Sequence, residues 1–191
     1  STVPGTGQIL FVITRTWTAS DSLGNSISAD QIITIQDTTA PIITAPNDIT
    51  IISTISVSPL LGTPTVSDNF DSSPIVTNDA PASFAPGTTT AITLTATDHT
   101  GNSQSSTQQV IINTPGQATN DITTLANSFG ANTNVLGNAS ALLNDNNPNN
   151  DNGACGKLDA FINQVNANKS LSSAEKTQLI LAANAIKTSL G

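Results

Sequence analysis

The chain has 191 residues, of which 37% are apolar and only 3% aromatic, and its five Lys and Arg against thirteen Asp and Glu give a formal net charge of −8. Cations are segregated: Arg15 is the only Arg, Lys157, Lys169, Lys176 and Lys187 are the only Lys, and the span 20–155 has neither while carrying eleven Asp. Nucleic acid is therefore excluded as a partner, because phosphate neutralisation needs Lys and Arg, anionic lipid surfaces are disfavoured for the same reason, and no apolar run reaches the eighteen residues of a membrane helix.

In chain order the first apolar run is ILFVI, Ile9, Leu10, Phe11, Val12 and Ile13, with no polar alternation. Such a run predicts a strand covered on both faces, and in an isolated hairpin it would instead drive association. Next comes TWTASDSLGNS at 16–26, which returns as TLTATDHTGNS at 93–103 with seven of eleven positions identical. The offset of 77 holds without gaps between 16–36 and 93–113, the signature of tandem domains rather than a short solenoid period. Trp17 and Ala19 alternate with Thr16 and Thr18, as Ile92, Leu94 and Ala96 alternate with Thr93, Thr95 and Thr97, so both copies predict half-buried strands. A D-x-x-G-N turn and a second strand, at 30–36 or 107–113, complete a β-hairpin in each copy.

Between the hairpins, short strands are expected at 42–44, 49–55, 63–66 and 75–78, separated by Pro-rich turns. Strands and turns at that spacing suggest an immunoglobulin-like β-sandwich. The strings DTTAPIITAPNDITI, TPTVSDNFDSSPIV and FAPGTTTAITLTATDHTGN resemble the hyalin repeat (HYR) family, an immunoglobulin-like extracellular module that recurs in surface and adhesive proteins. The resemblance covers about 37–113. Residues 3–37 resemble only the tail of a second repeat, with VPGTG at 3–7 matching APGTT at 85–89. Ala45 and Ser106 stand where the family commonly has cysteines, so the resemblance implies a sandwich held by packing rather than by its usual disulfide.

After Pro115 the apolar period becomes helical: Val135, Leu136, Ala139, Leu142 and Leu143, then Leu158, Phe161, Ile162 and Val165, then Leu179, Ile180, Ala183, Ile186 and Leu190. Ser172 and Glu175 form a capping box, and the Asn-rich run at 144–153 reads as a polar linker. The expected fold is mainly β, with one incomplete immunoglobulin-like sandwich (1–37) and one complete (38–115), followed by a small C-terminal α-helical bundle (116–191).

Chemistry is sparse. His99 is the only histidine, in a turn, and no nucleophile elbow accompanies it; the sequence predicts no enzyme and no cofactor other than calcium. Asp21, Asp68, Asp71 and Asp98 are the candidate calcium ligands, in turns where Asp is also a good turn former in its own right. Asn138 and Asn168 head N-x-S sequons, and Cys155 has no second cysteine to pair with.

With no methionine and a start inside a repeat, the sequence reads as a processed or excised piece of a longer precursor. Abundant Thr, Ser, Asn and Ala with little Lys or Glu is similar to archaeal or bacterial surface proteins. The expected role is that of an extracellular, cell-surface structural subunit. Residues 9–13 and Trp17 would mediate strand complementation with copies of the same chain, building a head-to-tail filament or layer. The alternative is an adhesion or ligand-binding module whose missing strands lie in upstream repeats of one polypeptide.

Overall fold

The structure, a computed structural model, describes residues 2–4, 9–145 and 147–190. The Gly5, Thr6 and Gly7 part of the VPGTG match lies outside them. Among the described residues nine strands precede four α-helices: β1 (Thr2–Pro4), β2 (Ile9–Ser20), β3 (Ser26–Gln36), β4 (Ile42–Thr44), β5 (Ile49–Ile52), β6 (Thr65–Ser67), β7 (Ile75–Asn78), β8 (Thr88–Thr97) and β9 (Ser103–Asn113), then α1 (Pro115–Ser128), α2 (Asn134–Leu143), α3 (Asp151–Ala167) and α4 (Ser173–Ser189). The strands form three sheets, β1-β2-β3, β4-β6 and β5-β9-β8-β7. Helices claim about as many residues as strands, so the chain is mixed α and β rather than mainly β. Two compact units divide it: Ser1–Asn47 with Gly62–Ala80 and Ile92–Gln108, and Asp48–Leu61 with Pro81–Ala91 and Gln109–Gly191.

In the first unit, β2 and β3 pair antiparallel, with Ile13 opposite Ile33, Trp17 opposite Ala29 and Ala19 opposite Ile27. Directly opposed residues share a face, so this register gives the sheet one mostly apolar face and one mixed face that also holds Val12 and Ile32. One face carries Phe11, Ile13, Trp17, Ile27, Ile33 and Ile35. The other is laced by cross-strand hydrogen bonds, Thr16 Oγ1 to Asp30 Oδ1 at 2.7 Å and Thr18 Oγ1 with Ser28 Oγ at 2.8 Å. In the second copy of the hairpin, Ile43 on β4 packs with Leu94 and Ala96 on β8, and Ala45 and Val66 close over them.

The two D-x-x-G-N turns have the same construction. The Asp21 amide donates to the Asn25 carbonyl at 2.9 Å and the Asp98 amide to the Asn102 carbonyl at 3.0 Å, with Gly24 and Gly101 at φ +89 and +96. That left-handed conformation is the reason the fourth position is Gly in both copies.

In the second unit β5 runs parallel to the end of β9, Ile49 beside Val110 and Ile51 beside Ile112. The strand expected over 49–55 stops at Ile52 because the Ser53 hydroxyl bonds the Ile55 carbonyl and amide, at 2.8 and 3.2 Å, and turns the chain. The strand expected at 63–66 shifts to Thr65–Ser67, past Pro64, which has no N–H to offer a ladder. The helices bury Ile122 and Ala126 of α1, Leu136 and Ala139 of α2, Leu158, Phe161 and Val165 of α3, and Leu179, Ala183 and Ile186 of α4 in one core. Helix α1 carries a capping box, Thr114 with Gln117, and Pro115 in its first turn. Helix α3 begins at Asp151, inside the expected 144–153 linker, where an acidic residue in the first turn complements the helix dipole.

Candidate assembly face and acidic centre

The first hairpin presents an apolar face that the first unit leaves largely uncovered. Trp17 is 59% exposed and Ile27 75%, and Phe11 and Ile35 are also exposed. The Arg15 guanidinium lies 5.7 Å above the Trp17 ring, a cation–π contact that the i, i+2 spacing along a strand allows. Of the residues expected to mediate assembly, Ile9, Leu10, Val12 and Ile13 are half-buried and Phe11 and Trp17 are exposed. The expectation of a strand covered on both faces is thus met only in part. Leu10 contributes to the wall of a cavity of ≈ 200 Å³ shared with Phe70, Asp71 and His99.

The four predicted calcium ligands separate into three environments. Asp21 spends both carboxylate oxygens on its own turn: Oδ1 accepts from the Leu23 and Asn25 amides and Oδ2 from Asn25 Nδ2. The Asn25 side chain, followed by its amide, holds the Asp21 carboxyl below the ordinary aspartate range. It is a turn staple. Asp71 is likewise committed, with Oδ1 accepting from the Ser73 amide and Oδ2 from the His99 amide and, at 2.6 Å, facing His99 Nδ1.

Asp68 and Asp98 do come together, and a third residue that the sequence reading passed over, Asp37, joins them. Each of the three offers one carboxylate oxygen, and these oxygens lie within 4.8 Å of one another. Asp37 and Asp98 are each only 5% exposed. Three loops supply them: Asp37 follows β3, Asp68 follows β6 and Asp98 follows β8. The local reason for each is an Asx-type turn in which Oδ1 accepts amides two to four residues on: Thr39 for Asp37, Phe70 and Asp71 for Asp68, Thr100 and Asn102 for Asp98. Asn102 stitches the group by donating to the Asp37 carbonyl at 3.1 Å and to Asp98 Oδ2 at 2.8 Å. Burial works to raise the Asp98 carboxyl, but bonds from Asn102 and Thr100 outweigh it and hold the group below the ordinary range, that is, ionised.

Two carboxylate charges separated by the 4.8 Å limit repel by about 3.5 kcal/mol at an effective dielectric of about 20. No Lys or Arg lies between positions 15 and 157 in sequence to offset this. Asp37 was legible only through its position, at the junction of strand and turn in DTTAP, where an Asp two residues before Thr39 signals an Asx turn and not a ligand.

His99 is mostly exposed, and among the described residues its hydrogen bonds go only to Asp71. Among the described residues the pair orients an imidazole without joining it to a Ser or Cys nucleophile, and His99 is an exposed turn residue tethered to Asp71. Asn138 is exposed on α2, whereas Asn168 is half-buried at the end of α3 with Oδ1 accepting from the Ser170 amide and hydroxyl. Cys155 is half-buried on α3.

No family model matches the chain, and no curated protein matches it significantly.

Proposed function

We propose that this protein is a non-enzymatic structural subunit of an extracellular surface filament or layer, in which the β2–β3 sheet is completed by a neighbouring copy. The observation that carries the reading is the contrast between two copies of one hairpin. Leu94 and Ala96 are 3% and 0% exposed beneath β4 and β6, while Trp17 and Ala19, at the same places in the first copy, have no such cover. Burying a side chain of that size is worth roughly 1.5 to 3 kcal/mol, so Phe11, Trp17, Ile27 and Ile35 together supply a driving force of the size that association needs. Edge strands with unpaired ladder groups suit the same contact, and β3, β4 and β7 are edge strands that carry exposed apolar residues, Ile35, Ile42 and Ile75. A contact from one edge to a different edge is head-to-tail and grows a filament unless its rotation closes a ring.

An immunoglobulin-like sandwich of the hyalin-repeat kind is the fold reading that goes with this role. Its support is the joint core of the β4-β6 pair with β8, and the hydrogen bond from the Ala45 amide to Ser106 Oγ at 3.1 Å. That bond sets side by side the two positions at which the resemblance places cysteines.

Native mass spectrometry and negative-stain imaging at micromolar concentration test the assembly. Regular fibres or a concentration-dependent mass support it. Dispersed monomers at every concentration overturn it and favour the adhesion-module reading.

A further inference from the structure

We infer that Asp37, Asp68 and Asp98 form a calcium site that fastens the end of the first hairpin to two loops of the complete repeat. The hydrogen-bond inventory points to a ligand. Each carboxylate spends Oδ1 on the amides of its own loop, which leaves the second oxygen as the one that it can bring to the centre. For Asp37 and Asp68 that second oxygen, Oδ2, is buried and has no hydrogen-bond partner among the described residues. Asp98 Oδ2 accepts one bond, from Asn102, and keeps a lone pair. Buried polar atoms without partners are rare, and a buried carboxylate oxygen facing two others has no proton donor to turn to, so a cation is the missing partner.

The donor set selects the class of ion. It is all oxygen, with no imidazole or thiolate, which suits a hard cation and not zinc or copper. Oxygens on opposite sides of a calcium ion are about 5 Å apart, against roughly 4.1 Å for magnesium. Oxygens that lie within 4.8 Å of one another can share one calcium shell. Calcium also accepts the irregular coordination that three separate loops produce, with backbone carbonyls and water completing the set. The neighbouring cavity, lined by Leu10, Phe70, Asp71 and Thr100 together with Asp37 and Asp98, gives solvent and ion a way in. The titratable base that lines this cavity, His99, is held by Asp71.

The site would stiffen the junction at Asp37, where β3 ends and the complete repeat begins. Isothermal titration of the chelator-treated full chain with calcium chloride, with magnesium chloride in parallel and circular-dichroism melting beside it, tests this. The expected result is one calcium site per chain, weaker for magnesium. Affinity falls at least about tenfold in Asp37→Asn and in Asp68→Asn and is unchanged in Asp21→Asn, and calcium raises the melting temperature of the wild type but not of the two variants. Asn keeps the Oδ1 acceptor of each turn, so the variants retain their loops, and either one suffices if the other fails to fold. No heat and no melting shift up to about 5 mM calcium, or wild-type affinity in both variants, would overturn the assignment.

Discussion

Trp17 and Leu94 occupy one position in two copies of the same hairpin, and the structure leaves 59% of the first exposed and only 3% of the second. The substitution that tests the difference is therefore asymmetric. Leu94→Ala removes buried methyl groups from the contact with Ile43 and is expected to cost about 2 to 5 kcal/mol in chemical denaturation. Trp17→Thr removes a side chain that little covers within the unit and should leave the unfolding midpoint of the isolated chain within about 0.5 kcal/mol. Its effect belongs to assembly: at a concentration where the wild type is multimeric, Trp17→Thr should shift the native mass toward monomer. If Trp17→Thr unfolds the chain instead, the face is covered from within.

The His99 and Asp71 pair makes acid stability partly local. The Ser73 amide first, and then the His99 side chain, hold the Asp71 carboxyl below its ordinary value, with burial opposing them. A carboxyl depressed in the folded state contributes stability that is fully present above its unfolded value, about 4, and is lost as pH falls through the folded value. His99→Ala should move the Asp71 titration upward, toward the ordinary range, in a carbon-detected NMR titration. The Asp21 titration should not move, because its depression comes from Asn25 in another turn. Salt should weaken the shift, since His99 is largely in solvent.

Helix α1 buries one large apolar side chain, Ile122, beside the small Ala118 and Ala126. Its start therefore depends on the cap: the Thr114 hydroxyl accepts from the Gln117 amide at 3.2 Å and Gln117 Oε1 accepts from the Thr114 amide at 2.8 Å. Thr114→Ala should cost about 1 kcal/mol in the unfolding of the helical part, and Thr114→Ser should restore most of it. Hydrogen exchange of the amides in the first turn of α1 gives the local readout.

What was legible in the sequence was whatever repeated or kept a period. The 77-residue offset located two hairpins, and the structure gives them matching turns, down to the Asp21 and Asp98 amide bonds. The heptad-like spacing of Leu158, Phe161 and Val165 located α3. Two things were less visible. Helix α1 hides because its buried face is mostly Ala and Thr, as in the fully buried Thr119, whose hydroxyl bonds the Pro115 carbonyl at 2.8 Å. The acidic centre hides because its members are 61 residues apart in sequence at the extremes, and each looks like an ordinary turn Asp until the fold gathers them.

The matched turns yield the last prediction. Gly24 and Gly101 have no neighbouring atom within 4 Å of where a Cβ would sit, so steric packing imposes nothing on a substitution. What remains is the backbone: at φ +89 and +96 an L residue is strained, by roughly 1 to 2 kcal/mol. Gly101→Ala should cost about that amount in equilibrium unfolding, and Gly101→Asn distinctly less, because Asn tolerates the left-handed region. Gly24→Ala carries the same local strain, but its sheet contributes less to the buried core, since Trp17 and Ala19 are exposed where Leu94 and Ala96 are buried. Its penalty should then show as local opening of the β2–β3 turn in hydrogen exchange, with the global midpoint nearly unchanged. Equal global penalties at the two glycines would mean that both hairpins unfold as one cooperative body, and that the first is held far more firmly than its exposed face suggests.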